Sequence, residues 1–279
     1  MRQLIFALPL VLVLVACSEP QLQNKVSTAS AEVTVLNEAF VMPGLNRSRQ
    51  VRLYLPPGYG TSDKSYPVLY MHDGQNVFDN ATAYAGEWGV DETLNDLAAA
   101  GLLELIVVAI DNGGEKRMTE LNPVDHVEFG KAEGKAYVEF IANTVKPYID
   151  QHYRTLADAE HTGIMGSSMG GLISHYAILQ FPHVFSKAGI FSPSYWVTGP
   201  QVKWFENQPA AKNARLYFYM GGKEGDSMVP DLDRVYQAVL TKGHPTQLTQ
   251  YHLVADADHN EAAWRNEFKT AVLWLFKSL

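Results

Sequence analysis

The residues best suited to chemistry in this chain begin with a serine framed by glycines. The run from His161 to Leu179, HTGIMGSSMGGLISHYAIL, reads as an apolar strand, a tight turn and an apolar helix. Gly166-Ser167-Ser168-Met169-Gly170 at its centre matches the G-x-S-x-G nucleophile elbow, in the strand-to-helix setting that motif requires. A serine can leave a strand end there only on a turn so sharp that flanking side chains would collide. Glycines two residues to either side remove the collision. Unpaired N–H groups at the start of the next helix can then receive a developing oxyanion. Ser168 is therefore the expected nucleophile of an acyl-transfer reaction.

A serine hydroxyl needs a base, and the base needs an orienting carboxylate. On sheets that use this elbow the chain order is serine, acid, histidine. His175, His183, His244, His252 and His259 follow Ser168. His175 and His183 lie within and at the end of the elbow helix, too close in sequence to fold back. His244 precedes a strand at the wrong sheet edge, and His252 sits inside a strand. His259, in Asp256-Ala257-Asp258-His259-Asn260, follows the last strand and is the expected base. The acid should follow the penultimate strand, in Gly221-Gly222-Lys223-Glu224-Gly225-Asp226. Glu224 is favoured by its shorter run from the strand end, and Asp226 is the alternative. Asp256 and Asp258, beside the histidine, are weaker candidates. Two N–H groups must form the oxyanion hole. Met169 supplies one, and Gln75, in His72-Asp73-Gly74-Gln75-Asn76, is the expected second.

These residues need a scaffold that brings strand ends together. Glu32 to Phe40 and Ser48 to Leu55 alternate with period two and suggest an opening antiparallel pair. Pro67–Met71, Leu105–Ile110, Lys187–Phe191, Ala214–Met220 and Gln247–Val254 read as further strands. Helical patterns cover Val90–Ala100, Gly130–His152 (with Pro147 near its end), Val229–Leu240 and Ala262–Phe276. Such alternation predicts an α/β fold with a mostly parallel central sheet, antiparallel N-terminal strands and helices on both faces. Ligand chemistry on such sheets sits beyond the carboxyl ends of the strands, where each cluster above falls.

The chain has 279 residues, which suits one large domain. A formal charge of −8 without basic clusters argues against a nucleic-acid surface. Met1-Arg2-Gln3 and the apolar run Leu4–Val15 read as a secretory signal, too short for a span of about 20 residues. Leu14-Val15-Ala16-Cys17 resembles a bacterial lipobox, and Cys17 is the single cysteine in the chain. Residues 1–16 are accordingly expected to be a lipoprotein signal peptide, 17–31 a flexible tether and 32–279 the catalytic domain. Lipid on Cys17 would tie an exported protein to a membrane. Ser18 after it, by resemblance to lipoprotein sorting signals, favours the outer membrane. A domain without cysteine excludes internal disulfides and thiolate metal sites.

Taken together, the motifs resemble the esterase D-like branch of the α/β-hydrolases, which includes enterobactin-type trilactone esterases, feruloyl and acetyl-xylan esterases, S-formylglutathione hydrolases and mycolyltransferases. The likeness rests on YPVLYMHDGQ from Tyr66, Glu87-Trp88, IDNGGEKRMTE from Ile110, the GSSMGG elbow, FSPSYW from Phe191 and DHNE from Asp258. Ser167 stands where such elbows often carry histidine. The resemblance implies an α/β-hydrolase fold and a serine esterase with Ser168, Glu224 and His259 as triad, needing no cofactor and no metal. Gln75 and Met169 would be its oxyanion donors. Siderophore lactones and feruloyl or acetyl saccharides are the expected small-molecule esters. An acyltransferase using the same triad, or a ligand-binding lipoprotein of the same fold, is the alternative. Arg117 could offer a cation to a carboxylate, phenolate or siderophore, or be held in a salt bridge by Glu115 or Glu120. Trp88, Tyr195 and Trp196 are expected to line the pocket or pack in the core.

Overall fold

The computed structural model describes residues 25–276. The expected signal peptide, Cys17 and the tether up to residue 24 lie outside the described residues. Four short strands open the domain: β1 (Val33–Val35), β2 (Phe40–Met42), β3 (Arg47–Arg49) and β4 (Val51–Tyr54). Then come β5 (Val68–His72), α1 (Val90–Ala99), β6 (Ile106–Ile110), the one-turn α2 (Arg117–Glu120), α3 (Gly134–Phe140) and α4 (Lys146–His152). Ser168 lies between β7 (Thr162–Ser167) and α5 (Met169–Gln180). The remainder is β8 (Lys187–Phe191), α6 (Val202–Asn207), β9 (Arg215–Gly221), α7 (Met228–Thr241), β10 (Thr249–Val254) and α8 (Glu261–Phe276).

Eight strands form one sheet in the order β1-β4-β6-β5-β7-β8-β9-β10, and β2 and β3 form a separate hairpin. β4 pairs antiparallel with both β1 and β6. From β6 to β10 every neighbouring pair is parallel. The inner strands are largely apolar because both of their faces are buried. In β5, Val68 and Tyr70 enter one core while Leu69 and Met71 enter the other. The first core is closed by α3, α5 and α7 through residues such as Tyr137, Leu172 and Val235. α1 and α8 close the second through Leu94, Phe268 and Val272. Along α5 every residue from Met169 to Leu179 is buried, which explains why its pattern is apolar all round.

Three sequence expectations change. The long helix does not begin at residue 130: Gly130 has φ +100° and bridges back to His126, and helix starts only at Gly134. Its middle, Ile141–Val145, widens into π-helical turns just before Pro147. Proline has no N–H to donate and its ring crowds the carbonyl four residues back, so the wider turn relieves that clash. The helical stretch Tyr195–Asn207 is absent from the sequence pattern, because Gly199 and Pro200 interrupt it. Finally, the N-terminal segment is docked from Lys25 onward. Lys25 Nζ donates to the Ala83 carbonyl (2.9 Å), Ser27 Oγ to Asp79 (2.9 Å), Thr28 Oγ1 to Glu87 (2.8 Å) and the Ser30 N–H to Asp91 (2.7 Å). A polar stretch without periodicity reads as linker, but here its donors meet acceptors that lie about 50 to 60 residues later in the chain.

The tightest approach of helix to sheet is at Gly171, where an added Cβ would lie 2.3 Å from the Phe191 carbonyl oxygen of β8. Gly171→Ala is expected to destabilise the domain by about 1–3 kcal/mol, the usual cost of overpacking. Urea denaturation measures this, and an unchanged midpoint would contradict the packing argument.

Candidate active site

Ser168 sits at the joint of β7 and α5 with φ 59° and ψ −121°, a strained conformation for a residue with a side chain. Backbone bonds hold it there. Its N–H donates to the Phe191 carbonyl (3.0 Å), and its own carbonyl accepts from Leu172 (3.0 Å) and Ser194 (3.2 Å). Gly166 and Gly170 meet across the turn: a Cβ on Gly166 would lie 3.0 Å from Gly170 and 2.9 Å from the His72 ring. The Ser168 hydroxyl is 3.1 Å from that of Ser194, which is buried.

The candidate acid and base, Glu224 and His259, follow β9 and β10. Glu224 Oε2 accepts from His259 Nδ1 at 2.7 Å. Its carboxylate is fully buried, and the other oxygen accepts from the Gly221 N–H (2.7 Å) and the Ser192 hydroxyl (2.6 Å). Since an ionised carboxylate only accepts, Nδ1 carries the proton and Nε2 is the basic nitrogen of His259. Trp264, in the first turn of α8, stands edge-on to the His259 ring at 5.0 Å, and its indole N–H donates to Ser192 Oγ at 2.9 Å. One tryptophan thus packs His259 and, through Ser192, fixes Glu224. Asp226 is exposed on another face beside Gly222 and Lys223, and Asp256 pairs with Lys223 at the surface. Of the candidate acids, the fold brings only Glu224 to His259.

Ser168 and His259 open onto a cavity of about 520 Å³ walled by Asp73, Gln75, Trp88, Arg117, Glu261 and Trp264, among others. Gln75 follows Gly74 on a short helical turn after β5. Neither its N–H nor that of Met169 has an acceptor among the described residues. Trp88 lines the cavity and packs against Trp264 at 5.8 Å. Tyr195 does not: it is buried beneath the site, with its hydroxyl on His175 Nδ1 at 2.8 Å. Trp196 also lies outside this wall, half-exposed and edge-on to Phe129. The helical turn that starts at Tyr195 swings both rings away from the strand end. Arg117 lines the cavity, but its ion pair is with Asp73 rather than Glu115 or Glu120. Arg47 and Arg49 occupy Glu120 instead.

Three of the four histidines set aside on sequence grounds have hydrogen-bond partners. His252 Nδ1 meets Glu267 (2.8 Å) and His244 Nε2 meets the Ala214 carbonyl (2.9 Å). His72, against the elbow, pairs with the Tyr137 hydroxyl at 2.9 Å. Burial pushes its pKa down to about 4 and that of His175 down to about 3, so both rings are neutral at pH 7. Sequence reading missed Ser192, Ser194, Asp73, Glu261 and Trp264. Four of them lie inside motifs that were noticed, FSPSYW, HDGQ and DHNE, but a motif does not say which side chain faces which.

The topology and the serine at the β7–α5 turn place this protein in the α/β-hydrolase fold. Solved structures agree. A ferulic acid esterase superposes with TM-score 0.65 at 20% identity over 88% of this chain and 98% of its own. The enterobactin esterase of Shigella flexneri does so with TM-score 0.70 at 19% identity over 90% and 60%. The family model described as "Putative esterase" matches residues 43–275, and the chain belongs to that esterase family of carboxylic ester hydrolases. Among its relatives, the uncharacterized protein YbbA of Bacillus subtilis is 27% identical over 243 residues, 82% of this chain and 93% of YbbA. The iron(III) salmochelin esterase of Escherichia coli O6:H1 is 26% identical over 237 residues, 78% of this chain. The endo-1,4-beta-xylanase/feruloyl esterase of Xylanibacter ruminicola is 27% identical over 157 residues, 55% of this chain. The match spans only about half of the salmochelin esterase and a fifth of the xylanase/feruloyl esterase.

Two outcomes are expected. Glu224→Gln should lower kcat for a simple ester by about 10²-fold or more through loss of the imidazole's orienting partner, whereas Asp226→Asn should leave it unchanged. The reverse pattern in steady-state kinetics would reassign the acid. The depressed pKa values of His72 and His175 also couple stability to pH. Above about pH 6.5 these rings are neutral in folded and unfolded chains alike. Below it the unfolded chain binds protons that the folded chain refuses, so stability is lost as pH falls towards 4. His175→Phe should flatten that slope in urea titrations at pH 7 and pH 5, and an identical slope would refute the linkage.

Proposed function

We propose that the protein is a serine esterase that works through an acyl-enzyme on Ser168. The observation that carries this reading is the 2.7 Å contact of His259 Nδ1 with buried Glu224, on a ring that shares one cavity with Ser168. The Ser168 hydroxyl turns from Ser194 to His259 Nε2, gives up its proton and attacks the ester carbonyl. The oxyanion is held by the N–H groups of Met169 and Gln75, in a site closed enough for such bonds to count. His259 then protonates the leaving alcohol, and water, deprotonated by the same ring, frees the acid. Glu224 holds the ring and balances the imidazolium without taking its proton.

The substrate classes are siderophore lactones and feruloyl or acetyl saccharides, supported by the relatives named salmochelin esterase and feruloyl esterase. A cavity of about 520 Å³ with two indoles in its wall suits an acyl group of that size. The sequence around Cys17 supports export and lipid attachment, with the outer membrane as the destination. A palmitate analogue should label the wild type and spare Cys17→Ser; an unlabelled wild type sinks the anchor.

Ser168→Ala should reduce hydrolysis of a short-chain p-nitrophenyl ester by about 10⁴-fold or more with the thermal midpoint retained. A fluorophosphonate should label only the serine form. Undiminished turnover in the alanine variant would end the nucleophile assignment, and product that forms only with an added alcohol would make the protein an acyltransferase.

A further inference from the structure

Arg117 stands in the cavity wall, where a guanidinium could meet an anionic substrate. Its hydrogen bonds lead elsewhere. Nε and Nη2 donate side-on to Asp73 Oδ1 and Oδ2 at 2.6 and 2.9 Å. Asn112 Nδ2 donates to the same Oδ1 at 2.6 Å, and the Asn112 N–H reaches the Gln75 side-chain oxygen at 3.1 Å. Asn112 is itself held by the Gly114 N–H, which donates to its Oδ1 at 2.9 Å. Segment 112–117 therefore grips residues 73 and 75 at four points.

The gripped loop is under constraint. Asp73 is buried and has φ 55° and ψ 47°, the left-handed region that a side chain disfavours. Beyond it, Gly74 lies so close to the end of β6 that a Cβ would stand 2.8 Å from the backbone of Ala109 and Ile110. The Asp73 carbonyl accepts from the Asn76 N–H at 2.8 Å, which closes a turn around Gln75. Burial opposes ionisation of Asp73, yet the adjacent guanidinium and the Asn112 amide hold its carboxyl below the usual range. Arg117 likewise keeps its charge against burial because Asp73 faces it.

We infer that Asp73, held by Arg117 and Asn112, is a positioning residue for the oxyanion hole, and that Arg117 acts on catalysis through this loop rather than as the substrate's counter-ion. The inference rests on the esterase reading with Gln75 as a donor. An oxyanion donor is effective only when it is already within about 2.7–3.1 Å of where the charge will develop. A side-on guanidinium–carboxylate pair fixes orientation as well as distance, which a lysine cannot reproduce. A group that only aligns such a donor stabilises the transition state without binding the ground state.

The test compares wild type with Asp73→Asn, Arg117→Gln, Arg117→Lys and the double variant Asp73→Asn/Arg117→Gln. Substrates are p-nitrophenyl acetate and the anionic p-nitrophenyl hemisuccinate, with an alkyl boronic acid as mimic of the tetrahedral adduct. The expected result is a fall in kcat of about 10²-fold for Asp73→Asn and Arg117→Gln. KM for both esters should stay near wild type, boronate affinity should fall with kcat, and Arg117→Lys should recover only part of the loss. The double variant leaves no unpaired buried charge, so it stays folded when a single variant does not, and its kcat should match the lower single. A selective rise in KM for the hemisuccinate with kcat retained would make Arg117 a substrate cation and overturn the inference. Wild-type kcat and boronate affinity in the folded double variant would overturn it as well. A wild type that hydrolyses neither ester would instead bring down the esterase reading on which this one stands.

Discussion

The site hangs on one buried charge. The Glu224 carboxylate has no solvent exposure, and an ion so placed is tolerable only when its oxygens are satisfied. Its three donors come from different parts of the chain: Gly221 at the end of β9, Ser192 after β8 and His259 after β10. Ser192 is aligned in turn by the Trp264 indole on α8. Three strand ends and a helix must therefore be in register before the carboxylate is stable, and once they are, the His259 ring has no freedom to wander.

A second constraint meets the first at Phe191. The same residue whose carbonyl receives the Ser168 N–H also sets how close α5 can come to the sheet, with Gly171 against that oxygen. Strain at Ser168 is thus paired with very close packing behind it, the usual way in which an unfavourable backbone conformation persists. Ser192, directly after Phe191, is also in the left-handed region at φ 43°. Ser168 and Glu224 are thereby referenced to one strand end. Movement of β8 would disturb both.

The walls divide by chemistry. Trp88 and Trp264 give the cavity an apolar flank, while Asp73, Asn112 and Arg117 satisfy one another on the other side. Near its rim the N-terminal segment is sewn to Asp79, Glu87 and Asp91. Glu87 also accepts, through its backbone carbonyl, from Arg265 of α8 (2.9 Å). The chain's first described residues and its last helix therefore meet beside the loop that carries Trp88.

Much of this was legible from residues alone, for reasons that are local. Strands buried on both faces must be largely apolar, so Leu105–Ile110 and, after its opening lysine, Lys187–Phe191 stand out in any reading. The elbow is legible because its glycines answer a clash within five residues, and His259 because only one histidine follows the final strand. Tertiary structure decided whatever depends on direction. Glu224 and Asp226 differ by two residues in one loop, yet Gly221 and Ser192 draw the first inward, and among the described residues nothing draws the second. Tyr195 and Arg117 are of the residue types that line sites, but His175 takes one into the core and Asp73 ties the other to its loop. Composition and period follow from which surface an element must bury. The partner of a polar side chain follows from which distant segment arrives beside it, and that is settled only when the sheet has assembled.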